Sequence, residues 1–366
     1  MTTRTLAAER RSRLIEAMGR ENLDLLLLVG NAWQIDYLRY ATDFGILEGQ
    51  GAALVERAGR ITLFLDHPLE AERAELECEG VCVVPALDLP HRLHEALGRF
   101  GDSRIGLAPY RLVPHRIAAG TPFIDATALL DRLLMDKLKA EIARVRRASR
   151  LADEGYAVFR AAARAGRPDY ELVAEVEAFF RAKGVEDNFQ IIGVGGPEVR
   201  GMAPPSGRRL REGDLVTTEL TPCVDGYHAQ ICRTLVVGAP SAEQTAAFAV
   251  FREALEAGLA AVRPGATAAE IARAENDVFR RHGLGEYVSS EYTRVRGHGL
   301  GLFPDSKPPI LENVATRVDA GMTLIVHPNT YHPAVGYVVL GDSVVVDNEG
   351  CEVLTTTPRA LFSTAP

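Results

Sequence analysis

One polar face interrupts an otherwise apolar hairpin near the middle of the chain. The segments "DLVTTELTPCV" (214–224) and "YHAQICRTLVVG" (227–238) flank Asp225–Gly226, a strong short hairpin signal. Side chains alternate faces along a strand, so Leu215, Thr217, Glu219 and Thr221 share one face of the first segment. His228, Gln230, Cys232 and Thr234 share one face of the second. A face bearing Glu, His and Gln either lines a cavity or meets solvent. Two later segments favour the cavity. "RGHGLGLFP" (296–304) brackets His298 with glycines, which let backbone and ligand approach closely. "GMTLIVHPNTYHP" (321–333) sets His327 at the end of an apolar strand, just before Pro328. Four of the nine histidines fall in these three segments, so a shared pocket is the expectation. Imidazoles titrate near neutrality, which suits His298 and His327 to moving protons. Glu219 could fix an imidazole tautomer. Gln230 donates and accepts at once, as a substrate-positioning group does.

The composition narrows the function classes. The chain has 366 residues, 47% hydrophobic and 25% charged, with a mean hydropathy of −0.01. That is a globular composition able to bury a core in one large domain or two ordinary ones. The formal charge of −8 and pI near 5.7 speak against non-specific nucleic-acid or anionic-membrane binding. No apolar run reaches the length of a membrane span. "MTTRTLAAERRSRL" has no apolar signal core, so a cytoplasmic location is expected. The five cysteines are too scattered for a disulfide framework, and Cys78 and Cys82 lack a second ligand pair for zinc.

The positioning elements follow from periodicity. Residues 1–134 alternate helix and strand, with the all-apolar "LDLLLLVG" (23–30) as a buried strand, and read as a small α/β domain. Residues 135–366 open with a long charged helix from about Asp136 to Ala165 and a second helix, "RPDYELVAEVEAFFRAKG". The polar hairpin, two further helices and a strand-rich last third follow, giving an α/β (α+β) class overall. No tandem repeat or low-complexity tract is present.

Taken together, "REGDLVTTEL", "DGYHAQICRT", "GHGLGL", "GMTLIVHPNTY" and "LGDSVVV" resemble, in order, the creatinase/aminopeptidase P family, the pita-bread fold of M24 peptidases. The front half, with "LLLLVGNAWQIDYLRYATDF", is similar to that family's N-terminal domain, and "KAEIARVRRAS" to the opening of its C-terminal domain. The resemblance implies a C-terminal pita-bread catalytic domain, a small-molecule substrate and a homodimer. It also implies two metal ions held by two Asp, one His and two Glu. Carried onto this sequence, those positions are Glu219, Gln230, His298, His327 and Gly341. A bridged metal pair needs carboxylates shared by both cations, and neither Gln230 nor Gly341 supplies one. The family's substrate-handling histidines fall at Met202 and Asp305. Creatinase, the metal-free relative, uses the first of these and a glutamate where His327 stands, so creatine hydrolysis itself is not implied.

The expectation from sequence is therefore a metal-independent, creatinase-like enzyme without a cofactor. It would hydrolyse a C–N bond of a neutral or carboxylate-bearing metabolite by histidine acid/base chemistry. His298, His327 and Glu219 would be catalytic, with Gln230, His228, Met202, Asp305, Tyr331 and His332 around the substrate. Three alternatives stand beside it: a single Zn or Fe on Glu219, His298 and His327; a lyase or isomerase; and a catalytically inactive binding protein.

Overall fold

The computed structural model describes residues 3–365. The chain forms two compact units, Met1–Leu134 and Met135–Pro366.

The first unit is a six-stranded sheet with helices. In chain order its elements are α1 (Thr3–Arg20), β1 (Leu25–Asn31), α2 (Asp36–Thr42), β2 (Gln50–Glu56), β3 (Ile61–Leu65), α3 (Pro68–Glu77), β4 (Cys82–Pro85), α4 (Leu89–Leu97), β5 (Ile105–Ala108), α5 (His115–Ala118), β6 (Ile124–Asp125) and α6 (Thr127–Met135). The strand order is β4-β3-β2-β1-β5-β6. The apolar run of β1 is central, antiparallel to β2 and parallel to β5, and is buried from Leu25 to Gly30. A strand covered on both faces needs no polar alternation. Leu27, Leu54, Phe64, Leu93 and Leu107 meet in its core.

The second unit is built on a nine-stranded sheet. It begins with α7 (Lys139–Ala162) and α8 (Asp169–Ala182), then β7 (Asp187–Gly195), β8 (Leu215–Val224), β9 (Tyr227–His228) and β10 (Ile231–Val236). There follow α9 (Ala242–Ala261), α10 (Ala268–Arg281), β11 (Gly297–Gly299), β12 (Thr323–Val326), β13 (Thr330–His332), β14 (Gly336–Val338), β15 (Gly341–Val346), β16 (Cys351–Val353) and β17 (Phe362–Ser363). The main path is β11-β12-β15-β10-β8-β7, and β13 and β14 form a separate hairpin.

Local chemistry explains these boundaries. Asp225 and Gly226 both take positive φ, 49° and 78°, as the tight turn between β8 and β9 requires. The turn is tied to α7, where Tyr227 donates its hydroxyl to Glu141 at 2.5 Å. Ser241 with Gln244 and Thr267 with Glu270 form capping boxes at the starts of α9 and α10. Each satisfies backbone donors that a helix start leaves open, worth about 1 kcal/mol. Phe251 on α9 meets Phe279 on α10 edge to face at 5.0 Å, in the core under the sheet. On the far side of β10, the fully buried Arg233 donates to Asp342 at 2.7 Å, and Arg359 donates to the same carboxylate at 2.6 Å. Asp342 thus anchors a buried ion network. Among the described residues no helix is long and apolar enough to cross a membrane.

Candidate functional site

Strand register brings the polar residues into two rows on one face of the sheet. Glu219 on β8 stands opposite Cys232 on β10, and Cys232 stands opposite Gly341 on β15. Val326 pairs with Asp342, so His327, the next residue, continues that row. The neighbouring row holds His298 opposite Ile325, and Ile325 opposite Ser343. Ser343 reaches Gln230: its Oγ accepts from the Gln230 amide at 2.9 Å and donates to the Gln230 carbonyl at 2.7 Å. That clamp satisfies the backbone where the ladder opens between β9 and β10. Cys232, Leu300, Ile325 and Val339 form an apolar floor, with Met202 and Tyr337 packed at its edge.

The two histidines meet edge to face, ring centroids 5.7 Å apart. His298 Nδ1 lies 2.9 Å from the Gly299 carbonyl, which can only accept, so that nitrogen carries the proton and Nε2 is left as an acceptor. Gly297, at φ 142°, permits the close pairing of β11 with β12: a Cβ there would sit 2.2 Å from the Ile325 carbonyl. His327 is buried and its Nδ1 has no hydrogen-bond partner. Burial lowers the proton affinity of both rings; nearby Asp305 partly opposes this at His298, and His298 reinforces it at His327. Both imidazoles are neutral at pH 7.

Glu219 behaves oppositely. Burial pushes its carboxyl up to about 7, against hydrogen bonds from Asn329 and Cys232 that favour the anion. Asn329 Nδ2 donates to Glu219 Oε1 at 2.8 Å. Gln230 Nε2 lies 3.5 Å from Cys232 Sγ, and burial followed by the Glu219 charge pushes the Cys232 thiol well up. The Tyr337 hydroxyl is also raised, by burial and then by Glu219, so it stays a neutral donor.

The structure therefore gathers Glu219, Gln230, His298 and His327, with Met202 at the margin. Asp305 lies 3.8 Å from His298 Nδ1 but is paired with Arg294 at 2.8 Å. His228 is turned to the Gly301 carbonyl, 3.1 Å from its Nδ1. Tyr331 stacks on Tyr292 and donates to the Pro197 carbonyl at 2.8 Å. His332 lines a groove with Glu243, Glu253 and His282, beside α9. Sequence reasoning passed over Asn329 and Tyr337, and it gave Cys232 a place on the polar face but no role. The only signal for Asn329 was its place two residues after His327.

Residues 143–348 match the metallopeptidase family M24, and residues 10–135 match the creatinase/prolidase N-terminal domain. With more than half its length inside the M24 match, the chain belongs to metallopeptidase family M24. It is 30% identical over 228 residues to the Xaa-Pro dipeptidase of Pyrococcus furiosus, a match covering 62% of this chain and 64% of that one. It is 25% identical over 362 residues to the Xaa-Pro dipeptidase of Pyrococcus horikoshii, covering 97% and 99%. Among solved structures, dipeptidase PepE from Mycobacterium ulcerans superposes with a TM-score of 0.85 at 26% identity, covering 100% of each chain.

These relatives correct the functional expectation. They are named as dipeptidases, in a family of metallopeptidases. A creatinase-like enzyme working without a metal, and the expected lack of any cofactor, do not stand against that. The single-metal alternative meets a different obstacle. Among the described residues no group of three or more His, Cys, Asp and Glu is arranged to hold an ion, so Glu219, His298 and His327 do not form such a set.

The residues present do not fit a carboxylate-bridged metal pair either. Glu219 is the only carboxylate in the two rows. At Gly341 an added Cβ would lie 2.6 Å from His327 Cβ, 3.0 Å from the Val326 carbonyl and 3.2 Å from Cys232 Sγ. The middle of the row is therefore filled by its neighbours.

Proposed function

We propose that the protein is a hydrolase that cleaves the C–N bond of a small dipeptide-like substrate, Xaa-Pro dipeptides among them. The family and the names of its relatives support the bond type. The observation that carries the reading within this chain is Glu219. It is a carboxyl that burial raises to about 7, held by Asn329, on the same sheet face as the His298–His327 pair.

In the family, metal ions supply carbonyl polarisation and a more acidic bound water. This donor set does not fit a carboxylate-bridged pair, and the chain's own side chains offer the following roles. Near pH 7 Glu219 is present in both protonation states. It can take a proton from a water attacking the amide carbon and return one to the nitrogen as the C–N bond breaks. His298 Nε2 is free to accept a hydrogen bond from the substrate amine. Tyr337, neutral at working pH, is a donor for the carbonyl oxygen as it gains charge. Met202 and the Leu300–Ile325–Val339 floor receive the apolar part of the substrate. On this reading the protein acts in the cytoplasm as a homodimer, which light scattering tests.

Glu219→Gln keeps the shape and removes the proton shuttle. Release of free amino acid from the dipeptide cleaved fastest should fall by about a hundred-fold or more, with unchanged folding. Unaltered turnover would remove Glu219 from the mechanism.

A further inference from the structure

We infer that Asn329 is a positioning residue for Glu219, and that Arg296 anchors Asn329 and His327 together. The inference rests on the hydrolase reading for its catalytic consequence but on hydrogen-bond geometry for its substance. Asn329 is 2% exposed, and both ends of its amide are used. Oδ1 accepts the Leu340 amide at 3.0 Å, and Nδ2 donates to Glu219 Oε1 at 2.8 Å. The first bond decides the second. A backbone N–H can only donate, so the oxygen of Asn329 must face Leu340 and its NH₂ must face the carboxylate. The side chain cannot flip without losing both bonds in a buried setting, where no water replaces them.

Arg296, 1% exposed, holds the turn that carries this amide. Its Nη1 donates to the Asn329 carbonyl at 3.0 Å, and its own carbonyl accepts the His327 amide at 3.0 Å. Its Nε donates to Asn276 Oδ1 on α10 at 2.5 Å. Pro328, between the two held residues, stiffens the link. One arginine thus fixes both His327 and Asn329, and through Asn329 the carboxylate that lies 110 residues from that asparagine in sequence. A donor aimed at Glu219 in a low-dielectric recess favours the anion and holds it in one orientation. Without it the carboxyl would be free to turn, and burial would act on it unopposed by this bond.

The test joins a spectroscopic and a kinetic readout. With ¹⁵N-asparagine labelling, the Asn329 side-chain NH₂ is assigned by its loss in Asn329→Asp. In the wild type it should lie shifted from the free-amide position, and it should move in Glu219→Gln, where an ionic acceptor becomes neutral. An unshifted pair that ignores Glu219→Gln overturns the inference, whatever the enzyme does. In turnover, Asn329→Asp keeps the acceptor for Leu340 and loses the donor to Glu219. It should lower kcat at least about ten-fold with KM nearly unchanged, and recover part of the loss at lower pH, where the two carboxyls share a proton. A loss confined to KM, or an unaltered kcat, also overturns it. Shifted resonances in a wild type that cleaves no dipeptide would support the positioning and sink the hydrolase reading alone. If Asn329→Asp does not fold, the NH₂ is assigned by elimination and Glu219→Gln still decides.

Discussion

Replacing Gly341 with alanine adds one methyl group where the sheet has no room for it. The new Cβ would lie 2.6 Å from His327 Cβ and 3.0 Å from the Val326 carbonyl, inside any real carbon contact. Both neighbours are backbone or backbone-attached atoms, so neither can swing away as a side-chain tip would. Overpacking of this kind costs about 1–3 kcal/mol. Gly341 is an ordinary strand residue, so alanine also restricts the unfolded chain and returns about 0.4–1 kcal/mol. The net is a loss of about 1–2 kcal/mol. In a unit of this size that lowers Tm by roughly 2–8 °C. Calorimetry on wild type and Gly341→Ala measures it. His327→Gly removes the atom in conflict, so the double variant should recover part of the loss in a double-mutant cycle. An alanine variant as stable as wild type, or more so, would mean that position 341 is open. The statement that a carboxylate-bearing side chain has no space there would then fail.

Three further outcomes follow from the same contacts. Asp342→Asn should cost about 3 kcal/mol or more in urea titrations, because it leaves Arg233 buried with a weakened partner. Burial alone would raise the Asp342 carboxyl, but Arg233 and Arg359 outweigh it and hold the group below the usual range. Its contribution is therefore full above the ordinary aspartate value and should fade as pH falls through the lower folded one. Glu219 has the opposite sign: its folded value near 7 favours the protonated form. Compared with Glu219→Gln, the wild type should lose stability as pH rises from the ordinary carboxyl range through about 7, and a constant difference would refute this. Cys232, fully buried with a raised thiol, should resist alkylation until the protein unfolds, while exposed Cys82 reacts at once. Mass-mapped labelling of Cys232 in the native protein would contradict the packing of the row.

Local patterns made much of the fold legible. Asp225–Gly226 announced its turn through residues that tolerate positive φ. The apolar run at 23–30 marked a buried strand, which the structure makes central to its sheet. Motif order identified the family. What stayed hidden depends on pairing between distant strands. The row Glu219–Cys232–Gly341–His327 exists only once β8, β10, β15 and β12 are in register. Cys232 reads as a small core residue and is one, yet register sets it against the key carboxyl. Asn329 follows a proline, where asparagine ordinarily serves a turn. Its bond to Glu219 spans a sequence distance that no local pattern reports. His332 shows the converse: adjacent to Tyr331 and near His327 in sequence, it lines a groove beside α9.

The most direct measurement is hydrolysis itself. Purified full-length protein is incubated with a dipeptide panel containing Xaa-Pro and non-proline members. Parallel reactions contain added Mn²⁺, Co²⁺ or Zn²⁺, or a chelator, and free amino acids are quantified. The account predicts release of amino acid from at least one dipeptide class, abolished by Glu219→Gln. No release from any dipeptide under any of these conditions, from folded protein, would contradict it.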